Sequence, residues 1–208
     1  MPSTPLRVLA LGDSYTVGEG VPADGRWPAL LVHRLQREGL VLAEPQLVAA
    51  TGWTTDELDA AMDAAAFNAP YALVTLLVGV NNQYRGRGVD EYRGQLRHLV
   101  ARAVALAGDD ARRVVLLSTP DWGVTGFARD RGDDAHAIAG AIDAFNTVAR
   151  EEAARGGAHW LDITAISRAC AALPGMLAAD GLHPSATQYA LWTQQLLPLA
   201  RAILRDGA

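Results

Sequence analysis

A chain of 208 residues, half of them hydrophobic and one fifth charged, can bury a substantial core and is most simply one domain spanning residues 1–208. Its net charge of −5 comes without a basic cluster, which argues against nucleic acid as a partner, and no run approaches the roughly 20 apolar residues of a membrane span. All 18 basic residues are arginine, and Cys170 is the one cysteine, so a lysine Schiff base, a Walker P-loop, an internal disulfide and a multi-cysteine zinc site are all excluded.

The opening Met1-Pro2-Ser3-Thr4-Pro5 lacks the basic region and cleavage pattern of a secretory leader, which points to the cytoplasm. The first strand-like run, Arg7–Gly12, follows at once and ends in Gly12-Asp13-Ser14. Trp27, Leu30, Leu31 and Leu35 form a short helical stripe before a second strand-like run, Gln46–Ala50. Gly52 comes next, and Thr54 with Glu57 three residues later fits a capping box that opens a helix. The third run, Ala72–Val78, is almost continuously apolar, as a strand covered on both faces of a parallel sheet must be.

Beyond a loop at Asn81–Gly88, a helical stripe runs through Tyr92, Leu96, Leu99, Ala103 and Leu106 to a fourth strand at Arg113–Ser118. A second long loop, Thr119–Asp134, leads to the stripe Ile138, Ile142, Phe145, Ala149 and a fifth strand at Ala158–Asp162. Cys170, in Arg168-Ala169-Cys170-Ala171-Ala172-Leu173, suits a small buried hydrophobe. Ser185 and Gln188 fit a second capping box ahead of the last stripe, Tyr189, Trp192, Leu196, Leu199 and Ile203. Strands alternating with helices predict right-handed βαβ units in a three-layer α/β/α sandwich.

Ligands of an open parallel sheet gather outside the carboxyl ends of its strands, which is where Ser14 stands. A serine hydroxyl is a weak nucleophile until a base takes its proton. His33 and His98 lie inside helical patterns beside Arg34 and Arg97, while His136 and His159 fall near the starts of a helix and a strand. His183 differs, because it sits in Asp180-Gly181-Leu182-His183-Pro184, where Pro184 keeps it out of the helical conformation. Asp180, three residues earlier, can bind one ring nitrogen and leave the other for Ser14. Donors for a developing oxyanion are the Ser14 and Gly52 backbone N–H groups and the Asn81 side-chain amide. Asp13 organises the turn before Ser14 through its own hydrogen bonds. Ser118, at the end of the fourth strand, is the rival nucleophile.

Gly12-Asp13-Ser14-Tyr15, Gly52, Gly79-Val80-Asn81-Asn82 and Asp180-Gly181-Leu182-His183-Pro184 resemble, in order and over nearly the whole chain, the four motif blocks of the GDSL, or SGNH, hydrolases. The resemblance implies a flavodoxin-like sandwich with a five-stranded parallel sheet. It also implies hydrolysis of a small-molecule carboxylic ester, of small or medium acyl chain, through an acyl-enzyme, without cofactor or metal. Carried over residue by residue, Ser14 is the nucleophile, His183 the base, Asp180 its orienting acid, and Ser14, Gly52 and Asn81 the oxyanion hole. Tyr15 replaces a usual leucine and Asn82 stands where an aspartate is common, which puts substrate fit, not mechanism, in question. Tyr15, Trp53, Asn82 and Trp122 are the candidates for substrate contact, with Tyr84 flanking them, whereas Arg85 and Arg87 suit a solvated loop face better than an anion site. Sugar O-acetyl ester, lysophospholipid and thioester substrates stay open, as does acyl transfer to a sugar hydroxyl. So does a non-catalytic flavodoxin-like module holding a phosphate or flavin, although such a module has no need of the Asp180–His183 pair.

Overall fold

A computed structural model describes residues 4–170 and 172–206; Met1, Pro2 and Ser3, part of the segment read for a leader pattern, lie outside the described residues. In chain order the elements are β1 (Val8–Gly12), α1 (Ser14–Val17), α2 (Trp27–Arg37), β2 (Gln46–Ala49), α3 (Thr55–Ala64), β3 (Leu73–Leu77), α4 (Val80–Tyr84), α5 (Val89–Leu106), β4 (Val114–Leu117), α6 (Gly126–Arg131), α7 (Ala135–Gly156), β5 (His159–Leu161), α8 (Thr164–Cys170) and α9 (Ala186–Asp206). Each strand end falls within one residue of the expected position. The strands form one five-stranded parallel sheet in the order β2-β1-β3-β4-β5, the flavodoxin-like order.

Alternation along each strand divides the core into two layers. Val8 and Ala10 of β1, Leu73 and Leu77 of β3, and Val115 and Leu117 of β4 join the apolar cluster under α2 and α9. Leu9 and Leu11, Val74 and Leu76, and Val114 and Leu116 join the cluster under α3, α5 and α7. Both faces are therefore covered, which is why the strand sequences read as continuous apolar runs. The expected stripes supply the covering layers: Tyr92, Leu96, Leu99 and Ala103 from α5, Ile138, Ile142, Phe145 and Ala149 from α7, and Tyr189, Trp192 and Leu196 from α9 are buried.

Three local expectations need correction. The two long loops contain helices: α4 occupies the first half of Asn81–Gly88, and α6 with a 3-10 turn at Trp122–Val124 occupies much of Thr119–Asp134. These pieces are too short for an apolar period; the 3-10 turn and α6 are held by side-chain caps, as where Thr125 Oγ1 accepts from the Ala128 N–H at 3.3 Å. The capping box at Thr54 forms, with Glu57 accepting from the Thr54 N–H at 2.8 Å. The one at Ser185 forms by half. Ser185 Oγ accepts from the Gln188 N–H at 3.3 Å, but the Gln188 amide turns to the Met176 carbonyl at 3.0 Å, which already takes the Ser185 N–H.

The chain runs from β1 outward to β2 and then returns past β1 to β3. That reversal opens a crevice at the carboxyl ends of β1, β2 and β3, from which Ser14, Gly52 and Asn81 issue.

Candidate active site

Sterics at the end of β1 explain the Gly-Asp-Ser turn. A Cβ on Gly12 would stand 2.2 Å from Thr16 Oγ1 and 2.4 Å from the Leu77 carbonyl oxygen, so α1 can turn back over the strand only from a glycine. Asp13 caps α1, its Oδ1 accepting from the Tyr15 N–H at 3.0 Å. The Tyr15 carbonyl takes the Trp27 indole N–H at 3.1 Å and ties the turn to α2. Ser14 is thereby fixed at the first position of a short helix, 5% exposed.

The tail supplies a second prefolded unit. Residues 176–185 form a small hairpin in which Ala178 N–H donates to the His183 carbonyl at 2.7 Å and Ser185 N–H to Met176 at 2.9 Å. Asp180 sits at its tip, where Oδ1 accepts from the Leu182 and His183 N–H groups at 2.9 and 3.0 Å. Its other oxygen lies 2.6 Å from His183 Nδ1. The hairpin docks on α6, whose Phe127 N–H donates to the Gly181 carbonyl at 3.1 Å.

These two units meet. His183 Nε2 stands 2.9 Å from Ser14 Oγ, across 169 residues of sequence. With Nδ1–H donating to Asp180, Nε2 is left to accept the hydroxyl proton. Partial burial raises the Asp180 carboxyl, but the bonds from His183 and the Leu182 and His183 N–H groups outweigh it and hold the carboxyl below its ordinary value. Tyr15 packs beneath, its ring centroid 5.6 Å from that of His183. Burial, reinforced by Asp13, Asp121 and Asp180, pushes the Tyr15 hydroxyl up and keeps it protonated.

Gly52 adopts φ +86°, and Asn81 lies on α4. Both line the same cleft as Ser14 and His183. Asn81 donates one amide hydrogen to the Trp53 carbonyl at 2.9 Å, which leaves a second N–H for the cleft. The cavity volume is about 190 Å³, and Thr51, Val80, Tyr84, Trp122, Phe127 and Leu182 complete its walls. Trp122 is locked by its indole N–H on Gln83 at 2.8 Å and by an edge-on contact with Tyr84. Phe127 and Leu182 carried no sequence signal as cleft residues.

Two of the residues expected to touch substrate stand elsewhere. Asn82 is fully buried and bonded to Thr55, because one helix step of about 100° turns it away from Asn81. Trp53 packs against the core layer under α3 and α5 and reaches the site only through its carbonyl. Tyr15 and Trp122 do line the cleft. Arg85 and Arg87 are paired with Glu57 and Asp56 at 3.1 and 2.5 Å.

Ser118 is buried and spends its hydroxyl on the β4–β5 junction. It donates to Asp162 at 3.1 Å and accepts from the Ile163 and Thr164 N–H groups at 2.7 and 2.9 Å. His33 and His98 face Glu44 and Asp59 at the surface, and burial pushes the Cys170 thiol up, away from a nucleophile's range. Among the described residues no group of three or more His, Cys, Asp or Glu side chains could hold a metal, and no helix is long and apolar enough to cross a membrane.

Solved structures share this fold across almost the whole chain. TesA is 24% identical with a TM-score of 0.73, covering 95% of this chain and 99% of its own. A lipase/acylhydrolase from Enterococcus faecalis is 21% identical with a TM-score of 0.69, covering 96% of each chain. A variant of Axe2, an acetyl xylan esterase from Geobacillus stearothermophilus, is 21% identical with a TM-score of 0.69, covering 94% of each. No curated protein sequence matches the chain. The GDSL-like lipase/acylhydrolase family model matches residues 10–191, a span that holds every residue of the Ser14–His183 cleft, and the chain belongs to that family of carboxylic ester hydrolases.

Proposed function

We propose that this ester hydrolase works through an acyl-enzyme on Ser14 and favours small, uncharged acyl groups. The observation that carries the reading is the continuous Ser14 Oγ–His183 Nε2 and His183 Nδ1–Asp180 contact, at 2.9 and 2.6 Å, opening into the apolar cleft. His183 takes the Ser14 proton as the hydroxyl oxygen bonds to the ester carbonyl carbon. The carbonyl oxygen becomes an oxyanion facing the Ser14 and Gly52 N–H groups and the free N–H of Asn81. His183 then gives the proton to the departing alcohol, and the carbonyl re-forms on Ser14. Water enters by the same route, losing a proton to His183 as it attacks, and the proton returns to Ser14 as the acid leaves. Asp180 holds the imidazole in its tautomer and stabilises the imidazolium.

The size of the cleft supports the acyl preference. At about 190 Å³ it lies below the roughly 300–1,000 Å³ of sites for drug-sized ligands, and among the described residues no Asp, Glu or Arg side chain lines its walls. The test is turnover of p-nitrophenyl esters from acetyl to palmitoyl by the wild type and by Ser14→Ala. The wild type should show its highest kcat/KM between acetyl and butyryl, and the variant should lose about 10⁴–10⁶ in kcat. Near-normal turnover by Ser14→Ala would overturn the mechanism; a palmitoyl optimum would overturn the acyl preference alone.

A further inference from the structure

The two consecutive asparagines of α4 grip the segment carrying Gly52 at alternate residues. Asn81 holds the Trp53 carbonyl at 2.9 Å, and Asn82 Oδ1 accepts from the Thr55 N–H at 3.0 Å. Asn82 Nδ2 donates to Thr55 Oγ1 at 2.7 Å and reaches Gln95 Oε1 at 3.5 Å, while the Thr55 hydroxyl donates to that same Gln95 oxygen. Asn82 and Thr55 are both 0% exposed. A buried amide with both ends engaged, between two elements that each deliver an oxyanion donor, does more than fill space.

We infer that Asn82 is a positioning residue for the oxyanion hole: through Thr55 it fixes the β2–α3 segment against α4, so that the Gly52 N–H and the Asn81 amide keep one separation. The inference rests on the proposed roles of Gly52 and Asn81. Those donors come from different strand ends, and two donors aimed at one oxygen must hold their places to within about 0.5 Å. The Asn81 tether cannot supply this by itself, since the same amide must stay free to turn its second N–H on the substrate and the segment can pivot about Trp53. Within the segment, the Trp53 N–H on the Ala50 carbonyl at 3.3 Å is a long bond. Arg85, just after α4, steadies the near end with an exposed bond to the Gly52 carbonyl at 2.6 Å, and the buried hold on Thr55 fixes the far end and removes the pivot. Truncating Asn82 would also leave the buried Thr55 N–H without its acceptor.

Asn82→Ala should lower kcat on p-nitrophenyl acetate by about 10- to 100-fold, the effect of a misplacement approaching 1 Å, with KM within about twofold. Affinity for a trifluoromethyl ketone, which adds to Ser14 as a tetrahedral oxyanion, should fall by the same factor. The pH at which activity is half-maximal should not move. Asn81→Ala should cost about 10²–10³ in kcat, and the double variant Asn81→Ala/Asn82→Ala should lose less than the product of the single losses, because both act through one hole. Thr55→Val keeps the N–H and removes the hydroxyl, and should cost about 2- to 10-fold in kcat; it carries the test if Asn82→Ala does not fold. A loss in thermal stability with wild-type kcat and ketone affinity, a loss confined to KM, or fully multiplicative losses in the double variant would overturn the inference. Ser14→Ala reports separately on the reading beneath it.

Discussion

Replacing Asp13 with asparagine tests whether the acid beside Ser14 is a turn-former that carries a proton. Asp13 is completely buried, and only Oδ1 has a protein partner, the Tyr15 N–H; among the described residues Oδ2 has none. Burial lifts its carboxyl from 3.8 to about 7 against the lowering effects of the Tyr15 N–H and of its own backbone N–H. In the unfolded chain the group ionises near its ordinary value of about 3.9. The folded state therefore keeps a proton that the unfolded state releases between roughly pH 4 and 7, so stability falls as pH rises through that window and the full loss is reached above it. About three pKa units at ~1.4 kcal/mol each give a loss on the order of 4 kcal/mol, a large share of the roughly 5–15 kcal/mol that holds a domain folded. Asparagine keeps the acceptor for Tyr15, caps a helix as well as aspartate does, and has nothing to ionise. Urea unfolding of both proteins at unit steps from pH 4 to 8 is the assay. The two should be equally stable near pH 4, with the variant ahead by about 2–4 kcal/mol at pH 8. A difference that stays constant with pH would refute the desolvation argument, and a wild-type advantage that grows with pH would reverse it.

Two further substitutions separate chemistry from scaffold. Asp180→Asn should lower kcat by about 10³–10⁴ with little change in KM, since the imidazole loses the anion that sets its tautomer; a loss under about tenfold would reduce Asp180 to a former of the 176–185 hairpin. Ser118→Ala should keep ester turnover within about twofold yet lower stability by about 1–3 kcal/mol in urea melts, because the buried Ile163 N–H loses its acceptor while the Thr164 N–H keeps only Asp162. Abolished turnover in that variant would return Ser118 to contention as the nucleophile.

The central strands were legible because burial on both faces forces nearly unbroken apolar runs, as in Val114–Leu117. The long helices were legible because each shows one apolar stripe to the sheet. The short helices were not. α4 has five residues and α6 six, less than two turns, and the buried stripe of α8 is Thr164, Ser167 and Cys170, none of which reads as an apolar period. In the site, Asp180 and His183 were readable together because three residues and a proline determine their geometry locally. Ser14 was readable because the strand ends there. Asn82 and Trp53 misled for the same reason: adjacency along the chain to Asn81 and Gly52 does not survive the turn of a helix or the alternation of an extended segment. Phe127 and Leu182 reach the cleft only because α6 docks on the tail hairpin, a tertiary event with no local mark.

The central claim is that the hydroxyl beside His183 is the group that becomes acylated. Reaction with a fluorophosphonate, followed by trypsin and mass spectrometry, tests it without any substitution. Cleavage after Arg7 and Arg26 isolates residues 8–26 with Ser14, and cleavage after Arg113 and Arg129 isolates residues 114–129 with Ser118. One adduct per chain on Ser14, forming as esterase activity disappears, is the expected result. An adduct on residues 114–129, or full loss of activity with residues 8–26 unmodified, would contradict the account.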